Sequence, residues 1–181
     1  MKSPPGNLRL AREADIPALE ELIPLSVRAL QSAHHSPAQM DAALGPIFGV
    51  DRQLIRDGTY FVVELDGRII ACGGWSRRKS LFGGDAHRTA SEDEPLDPAR
   101  DAARVRAFFV HPEFARRGLG RAILQASEAA VAAAGFRKIE LSATLAGEPL
   151  YASLGYRVRS RSEIPMRDGL SLPVMGMEKS L

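Results

Sequence analysis

Apolar positions along the chain change their spacing several times, and each change marks an element. Leu8–Ala11 alternates apolar with polar and reads as a short strand. Ile16, Leu19, Leu22, Ile23 and Val27 recur at helical spacing, with Asp15 offering an N-cap oxygen and Pro17 just inside the first turn. Pro24 interrupts that series, which predicts a kink or two short helices between Ile16 and Ala33. Ser36-Pro37 reads as a second helix start, with weak helical signal from Met40 to Phe48, and Gly58 closes the region. Thr59–Leu65 and Arg68–Trp75 are β-rich and flank Asp66-Gly67, a strong hairpin turn.

Arg77–Ala103 has little periodicity and is rich in Gly, Asp, Arg and Pro, which predicts a long loop. Val105–Val110 is an apolar strand interrupted by Arg106 and ended by His111-Pro112. Gly118–Ala134 is a helix whose buried side carries Leu119, Ile123, Leu124, Ala126, Ala130 and Val131, and Gly135 stops it. Arg137–Ala143 alternates as a strand, Glu148–Leu154 is a short helix stopped by Gly155, and Tyr156–Met166 pairs with Leu172–Lys179 around Asp168-Gly169. Hairpin-linked strands followed by a strand–helix–strand unit predict an α/β (α+β) fold, a mixed sheet with helices on its faces.

Composition narrows the functional classes. The 181 residues suit one domain, and 45% hydrophobic with 25% charged residues is ordinary for a globular chain. A formal net charge of +2 gives no global field toward nucleic acid or membrane, and neither is expected as a partner. Cys72 is the single cysteine, so no intrachain disulfide forms. The first residues carry no apolar run, and no stretch approaches the ~20 residues of a spanning helix, so a cytoplasmic location is expected.

The segment with the most chemistry is Arg116–Arg121, Arg-Arg-Gly-Leu-Gly-Arg, between the strand Val105–Val110 and the long helix. The first turn of a helix offers unpaired amides and the positive end of the helix dipole, and glycines clear the approach for an anion. Arg116, Arg117 and Arg121 add charge, so the loop suits a diphosphate. The two glycines alone fit equally well a turn glycine and a packing glycine beside solvated arginines. No Gly-x-x-x-x-Gly-Lys-Ser/Thr pattern and no third dinucleotide-type glycine is present.

Residues 105–124, Val-Arg-Ala-Phe-Phe-Val-His-Pro-Glu-Phe-Ala-Arg-Arg-Gly-Leu-Gly-Arg-Ala-Ile-Leu, resemble the acetyl-CoA signature of the GCN5-related N-acetyltransferase (GNAT) superfamily. Pro-Leu-Tyr-Ala-Ser-Leu-Gly-Tyr, residues 149–156, resembles its second signature, and the order and separation match. The likeness covers about residues 59–160. It implies one N-acetyltransferase domain over 1–181, with its core at 7–165 and a long loop at 77–103. It also implies that the strand Val105–Val110 bulges and splays from Arg137–Ala143 to open a cleft for acetyl-CoA as co-substrate, with no metal.

By that resemblance Arg116, Arg117, Gly118, Leu119, Gly120 and Arg121 hold the pyrophosphate, largely through backbone amides. Phe108, Phe109 and Val110 run along the pantetheine arm, with the Val110 amide facing the thioester oxygen. Tyr151 matches the tyrosine that protonates the departing thiolate. Ala115 departs from the Gln or Arg usual three residues before the first glycine, and no Asn precedes Tyr151 between 137 and 151.

The base is open. Glu140 lies on the strand beside the expected cleft, where some relatives carry an acidic base, although its neighbours Ile139 and Leu141 also suit a solvent-facing strand position. Glu113 and His111 lie near the loop, with His111 reading as structural, and a water chain serves equally well. The acceptor is expected to be a small-molecule or peptide amine. Candidates on its side are His34, His35, Tyr60, Trp75, the basic run Arg77-Arg78-Lys79 and the acidic run Glu92-Asp93-Glu94, whose opposing charges leave its identity open. Adjacent His34 and His35 make a poor metal site without nearby acidic or Cys partners. A homodimer is carried over from the family alone. A non-catalytic acyl-CoA-binding domain of the same fold is the competing expectation.

Overall fold

The computed structural model describes residues 4–81 and 94–181. They build one seven-stranded sheet in the order β1-β2-β3-β4-β5-β7-β6. Its strands are β1 (Asn7–Leu10), β2 (Tyr60–Leu65), β3 (Arg68–Ser76), β4 (Ala103–Val110), β5 (Lys138–Thr144), β6 (Arg157–Pro165) and β7 (Ser171–Ser180). Every neighbouring pair is antiparallel except β4 with β5, so the sheet is mixed, as the pattern predicts. The helices are α1 (Ile16–Leu30), α2 (Pro37–Ala43), α3 (Arg52–Arg56), α4 (Leu119–Ala133) and α5 (Glu148–Ala152).

The two faces of the sheet carry separate cores. Tyr60, Val62, Cys72 and Phe109 pack with Leu19, Ile23, Val27, Met40 and Leu54 from α1, α2 and α3. Val105, Leu141 and Ala143 pack with Leu124 and Val131 of α4 and with Tyr151 of α5. Helices therefore cover both faces, and alternation along the strands decides which core each residue joins. No helix among the described residues is long and apolar enough to cross a membrane.

Three readings of the N-terminal half need correction. First, α1 is one helix that continues through Pro24, not two short ones. A proline inside a helix costs about 3 kcal/mol. Leu19, Leu22, Ile23 and Val27 are each at most 3% exposed, and burying such side chains contributes about 1.5–3 kcal/mol apiece, so packing outweighs the missing hydrogen bond. Second, Asp15 does not cap α1 with its side chain. Its carboxylate accepts from the Arg9 guanidinium at 2.7 and 2.8 Å and from the Arg12 amide. Third, α3 is a five-residue helix that the periodicity missed. Its start is signalled by Asp51, whose carboxylate accepts from the Leu54 amide at 3.2 Å.

The stems of the long loop are tied together. Arg78 bridges to Pro95, and Lys79 forms an ion pair with Glu94. Arg78 also pairs with Asp57 at 2.9 Å, and Arg77 lies over the Trp75 ring, so the basic run is engaged by its own surroundings. Glu92 and Asp93 of the acidic run lie outside the described residues.

Candidate active site

Two adjacent strands part company at the middle of the sheet. β4 pairs with β5 only over Ala103–Val105 against Ile139–Leu141. Beyond Val105, β4 stays with β3 while β5 stays with β7, so the backbone of β4 beyond that point faces a gap. A bulge drives the departure. On β4 both Ala107 and Phe108 lie between partners Gly74 and Cys72 of β3, and Ala107 takes a left-handed φ of +62°. That conformation costs a non-glycine residue roughly 1–2 kcal/mol, and the Tyr60 hydroxyl holds it by donating to the Ala107 carbonyl at 3.0 Å. Gly73 makes the bulge possible, since a Cβ there would sit 2.7 Å from the Phe108 ring.

At one end of the gap α4 begins. Gly118 is its N-cap at φ +84°, preceded by Arg116 at φ +63°. The first bond into the turn is the Ala122 amide to the Gly118 carbonyl at 3.0 Å, which leaves the amides of Leu119, Gly120 and Arg121 without helical partners. The two glycines serve different ends. Gly118 supplies the left-handed turn, whereas a Cβ on Gly120 would meet Leu150 of α5 at 2.9 Å. Arg116 and Arg117 are exposed, with Arg117 stacked over Phe114, and Arg121 donates to the Ser153 hydroxyl at 3.3 Å. The loop thus presents free donors, a dipole end and three cations to whatever enters.

The gap opens into a cavity of about 190 Å³. Its walls include Phe108, Phe109 and Val110 of β4, Gly120 of α4, Ser142–Thr144 of β5, and Leu150 and Tyr151 of α5. Five of the eleven residues read as site residues from the sequence therefore line one space. Leu119 is buried at the start of α4, while Arg116 and Arg117 are exposed and Arg121 is half-buried beside it.

Tyr151 is 8% exposed, with its ring edge-on to Phe108 at 6.1 Å and to Tyr156 at 5.8 Å. No hydrogen bond engages its hydroxyl among the described residues. Burial pushes its pKa well above the ordinary tyrosine value, so the phenol stays protonated at any physiological pH. The Val110 amide, aimed away from β3, donates to the Ser26 hydroxyl of α1 at 3.1 Å.

Glu140 is placed elsewhere. It pairs with Arg104 at the closed end, where β4 and β5 are still in register, and it is absent from the cavity lining. His111 caps a short turn after β4, accepts from the Glu113 amide and lies against Arg68. Burial first, then the nearby Arg68 charge, lowers its pKa, in keeping with a structural role. Tyr60 and Trp75, both considered for the acceptor side, are core residues at 0% and 3% exposure.

Sequence reasoning passed over Ser26 and Gln31, which line the cavity from α1. A signal existed. Both fall in the apolar stripe of Leu19, Leu22, Ile23 and Val27, where a polar side chain is out of place unless it has work to do.

The family described as an acetyltransferase (GNAT) domain matches residues 56–158, more than half of the chain. The chain belongs to the GNAT acetyltransferase family. Solved structures agree on the fold. A GCN5-related N-acetyltransferase from Rhodopseudomonas palustris superposes with a TM-score of 0.72 at 19% identity, over 100% of this chain and 99% of that one. The PaiA N-acetyltransferase of Thermoplasma acidophilum, solved with coenzyme A, gives 0.65 at 13% identity over 97% and 98%. YncA from Salmonella typhimurium, described as a putative acetyltransferase with its cofactor acetyl-CoA, gives 0.60 at 17% over 97% and 93%. No curated protein matches the sequence significantly. In this GNAT acetyltransferase the family match spans β2 through the start of β6, which includes the bulge, the α4 turn and Tyr151.

Proposed function

We propose that this chain transfers the acetyl group of acetyl-CoA to a primary amine by direct attack, without an acyl-enzyme intermediate. One arrangement carries the reading: a gap between β4 and β5 with the free amides of α4 at one end and the protonated Tyr151 beside it. The amides of Leu119, Gly120 and Arg121, with Arg116 and Arg117, suit the pyrophosphate. The free edge of β4 at Phe108–Val110 suits a pantetheine arm laid along it as an added strand would be.

In the transfer the amine nitrogen forms a bond to the thioester carbon and the carbon–sulfur bond breaks. The oxyanion of the tetrahedral intermediate takes the Val110 amide as donor, which requires the Ser26 hydroxyl to release it. The departing thiolate takes the Tyr151 proton, and solvent restores it. The proton lost from the amine leaves through water, because Glu140 is engaged by Arg104 and no carboxylate or imidazole lines the cavity among the described residues. Cys72 supports direct attack: the thiol is fully buried and its pKa is pushed up to about 12, so it does not act as a nucleophile near neutral pH.

A cavity lining without a carboxylate among the described residues also suits a domain that binds acyl-CoA without turning it over. Release of free CoA thiol separates the two. With a panel of amines, the purified protein is expected to produce thiol and acetylated amine in equal amounts; thiol at the hydrolytic background with every amine sinks the catalytic reading.

A further inference from the structure

The cavity passes through the sheet and so has two chemically different ends. Gly120, Gly147, Leu150 and Tyr151 form the end under α4 and α5. The opposite end, on the α1 face, is walled by Leu30, Ile47, Phe48, Leu81, Leu172 and Val174. Its polar groups are few. The Ser26 hydroxyl is engaged with the Val110 amide. Arg106, the single charged residue in the lining among those described, has its guanidinium 3% exposed and bound to the fully buried Asp51 at 2.7 Å. That pair cancels its own charge, so this end presents no net charge from the described residues.

Two buried atoms of the lining have no hydrogen-bond partner among the described residues, Arg106 Nη2 and Gln31 Oε1, and Gln31 is the uncharged side chain of the two. It follows the last turn of α1 and is 8% exposed, and no described residue donates to its buried Oε1. A buried carbonyl oxygen without a donor is costly, and an entering N–H removes that cost.

We propose that Gln31 recognises the acceptor, its side-chain carbonyl receiving an N–H of a small, apolar primary amine with no second charged group. This rests on the acetyltransferase reading of the same cleft. Size points the same way. An apolar cavity of roughly 150 Å³ holds one benzene. A space of about 190 Å³ that also takes the reacting end of the cofactor leaves room for a group of about one ring or a short alkyl chain. A second ammonium or a carboxylate on the acceptor would be stripped of water with no uncommitted charged side chain to pair with among the described residues. Gln31 is then a specificity-determining residue that holds the nitrogen by one hydrogen bond while the aliphatic walls hold its substituent.

The test is steady-state kinetics with phenethylamine, spermidine, glutamate and an alanine-terminated peptide, on the wild type and on Gln31→Leu. Acetyl-CoA binding is followed in parallel by calorimetry. The expected result is a kcat/KM for phenethylamine about tenfold or more above each of the others. Gln31→Leu should raise the phenethylamine KM about tenfold, with kcat and acetyl-CoA affinity little changed. Faster acetylation of spermidine, glutamate or the peptide overturns the proposal, as does an unchanged KM in Gln31→Leu. Acetyl-CoA binding without turnover of phenethylamine overturns it too while leaving the cofactor reading intact. Absence of acetyl-CoA binding overturns that underlying reading. The wild-type comparison stands even if the variant fails to fold.

Discussion

The proposed mechanism concentrates its proton transfer in one side chain, Tyr151. Its ring is held by Phe108 and Tyr156, and its hydroxyl carries no structural hydrogen bond among the described residues. Tyr151→Phe therefore removes the proposed proton donor and keeps the packing. We expect kcat to fall about 100-fold or more, with thermal midpoint and acetyl-CoA affinity nearly unchanged; rates within about twofold of wild type would remove Tyr151 from the mechanism. The pH profile tests the water route. Because burial keeps Tyr151 protonated far above neutrality, kcat/KM should climb with pH along the neutral fraction of the amine and level off only near the amine's own pKa. A plateau beginning near neutral pH would instead reveal a base on the protein. Tyr151 was legible in the sequence because it sits inside a recognisable motif. Ser26 and Gln31 show in the sequence only as polar interruptions of an apolar stripe, because their meaning depends on which strand α1 packs against.

At the scale of elements, the bulge of β4 is the device that makes the cleft, and the glycines of β3 permit it. A Cβ at Gly74 would collide with the backbone carbonyl of Thr59, which cannot move aside cheaply. Gly74→Ala is expected to cost about 1–3 kcal/mol of stability, read by denaturant unfolding, whereas an unchanged unfolding midpoint would show that β3 has slack the structure does not suggest. Gly73→Ala acts differently, displacing the Phe108 ring that lines the cavity, so it should weaken acetyl-CoA binding more than it destabilises the fold. The strand–turn–helix unit from β4 to α4 was readable because its periodicity changes from a continuous apolar run to helical spacing across a glycine pair. The passage of α1 through Pro24 was not readable, since local propensity says break and only the packed core says continue. Asp15 misled for a related reason: its best partner, Arg9, comes from a neighbouring strand rather than from the helix it precedes.

Across the whole molecule, two histidines couple folding to pH. Burial lowers the pKa of both His35 and His111 below the usual 6.5, with the His34 charge adding to the effect at His35 and the Arg68 charge at His111. The unfolded chain then binds more protons than the folded one, so stability is full above about pH 6.5 and declines as pH falls below it. Asp15, held below its usual 3.8 by Arg9, adds a second loss at more acidic pH. Melting curves should show the midpoint falling from about pH 6.5 downward; a flat response to about pH 5 would contradict neutral, buried histidines. The mixed sheet with helices on both faces was legible from the alternation of patterns. The insertion of β7 between β5 and β6 was not, because strand order is set by long-range pairing that no local spacing records.

The central claim is that the gap between β4 and β5, opening at the amides of α4, is where acetyl-CoA sits. Calorimetric titration of acetyl-CoA into the wild type and into Gly120→Val tests it most directly. A side chain at Gly120 would meet Leu150 and intrude on the cavity beside the free amides. The account predicts one-to-one binding by the wild type and affinity weakened about tenfold or more in a folded Gly120→Val. No binding by the wild type, or equal affinity in the variant, would contradict it.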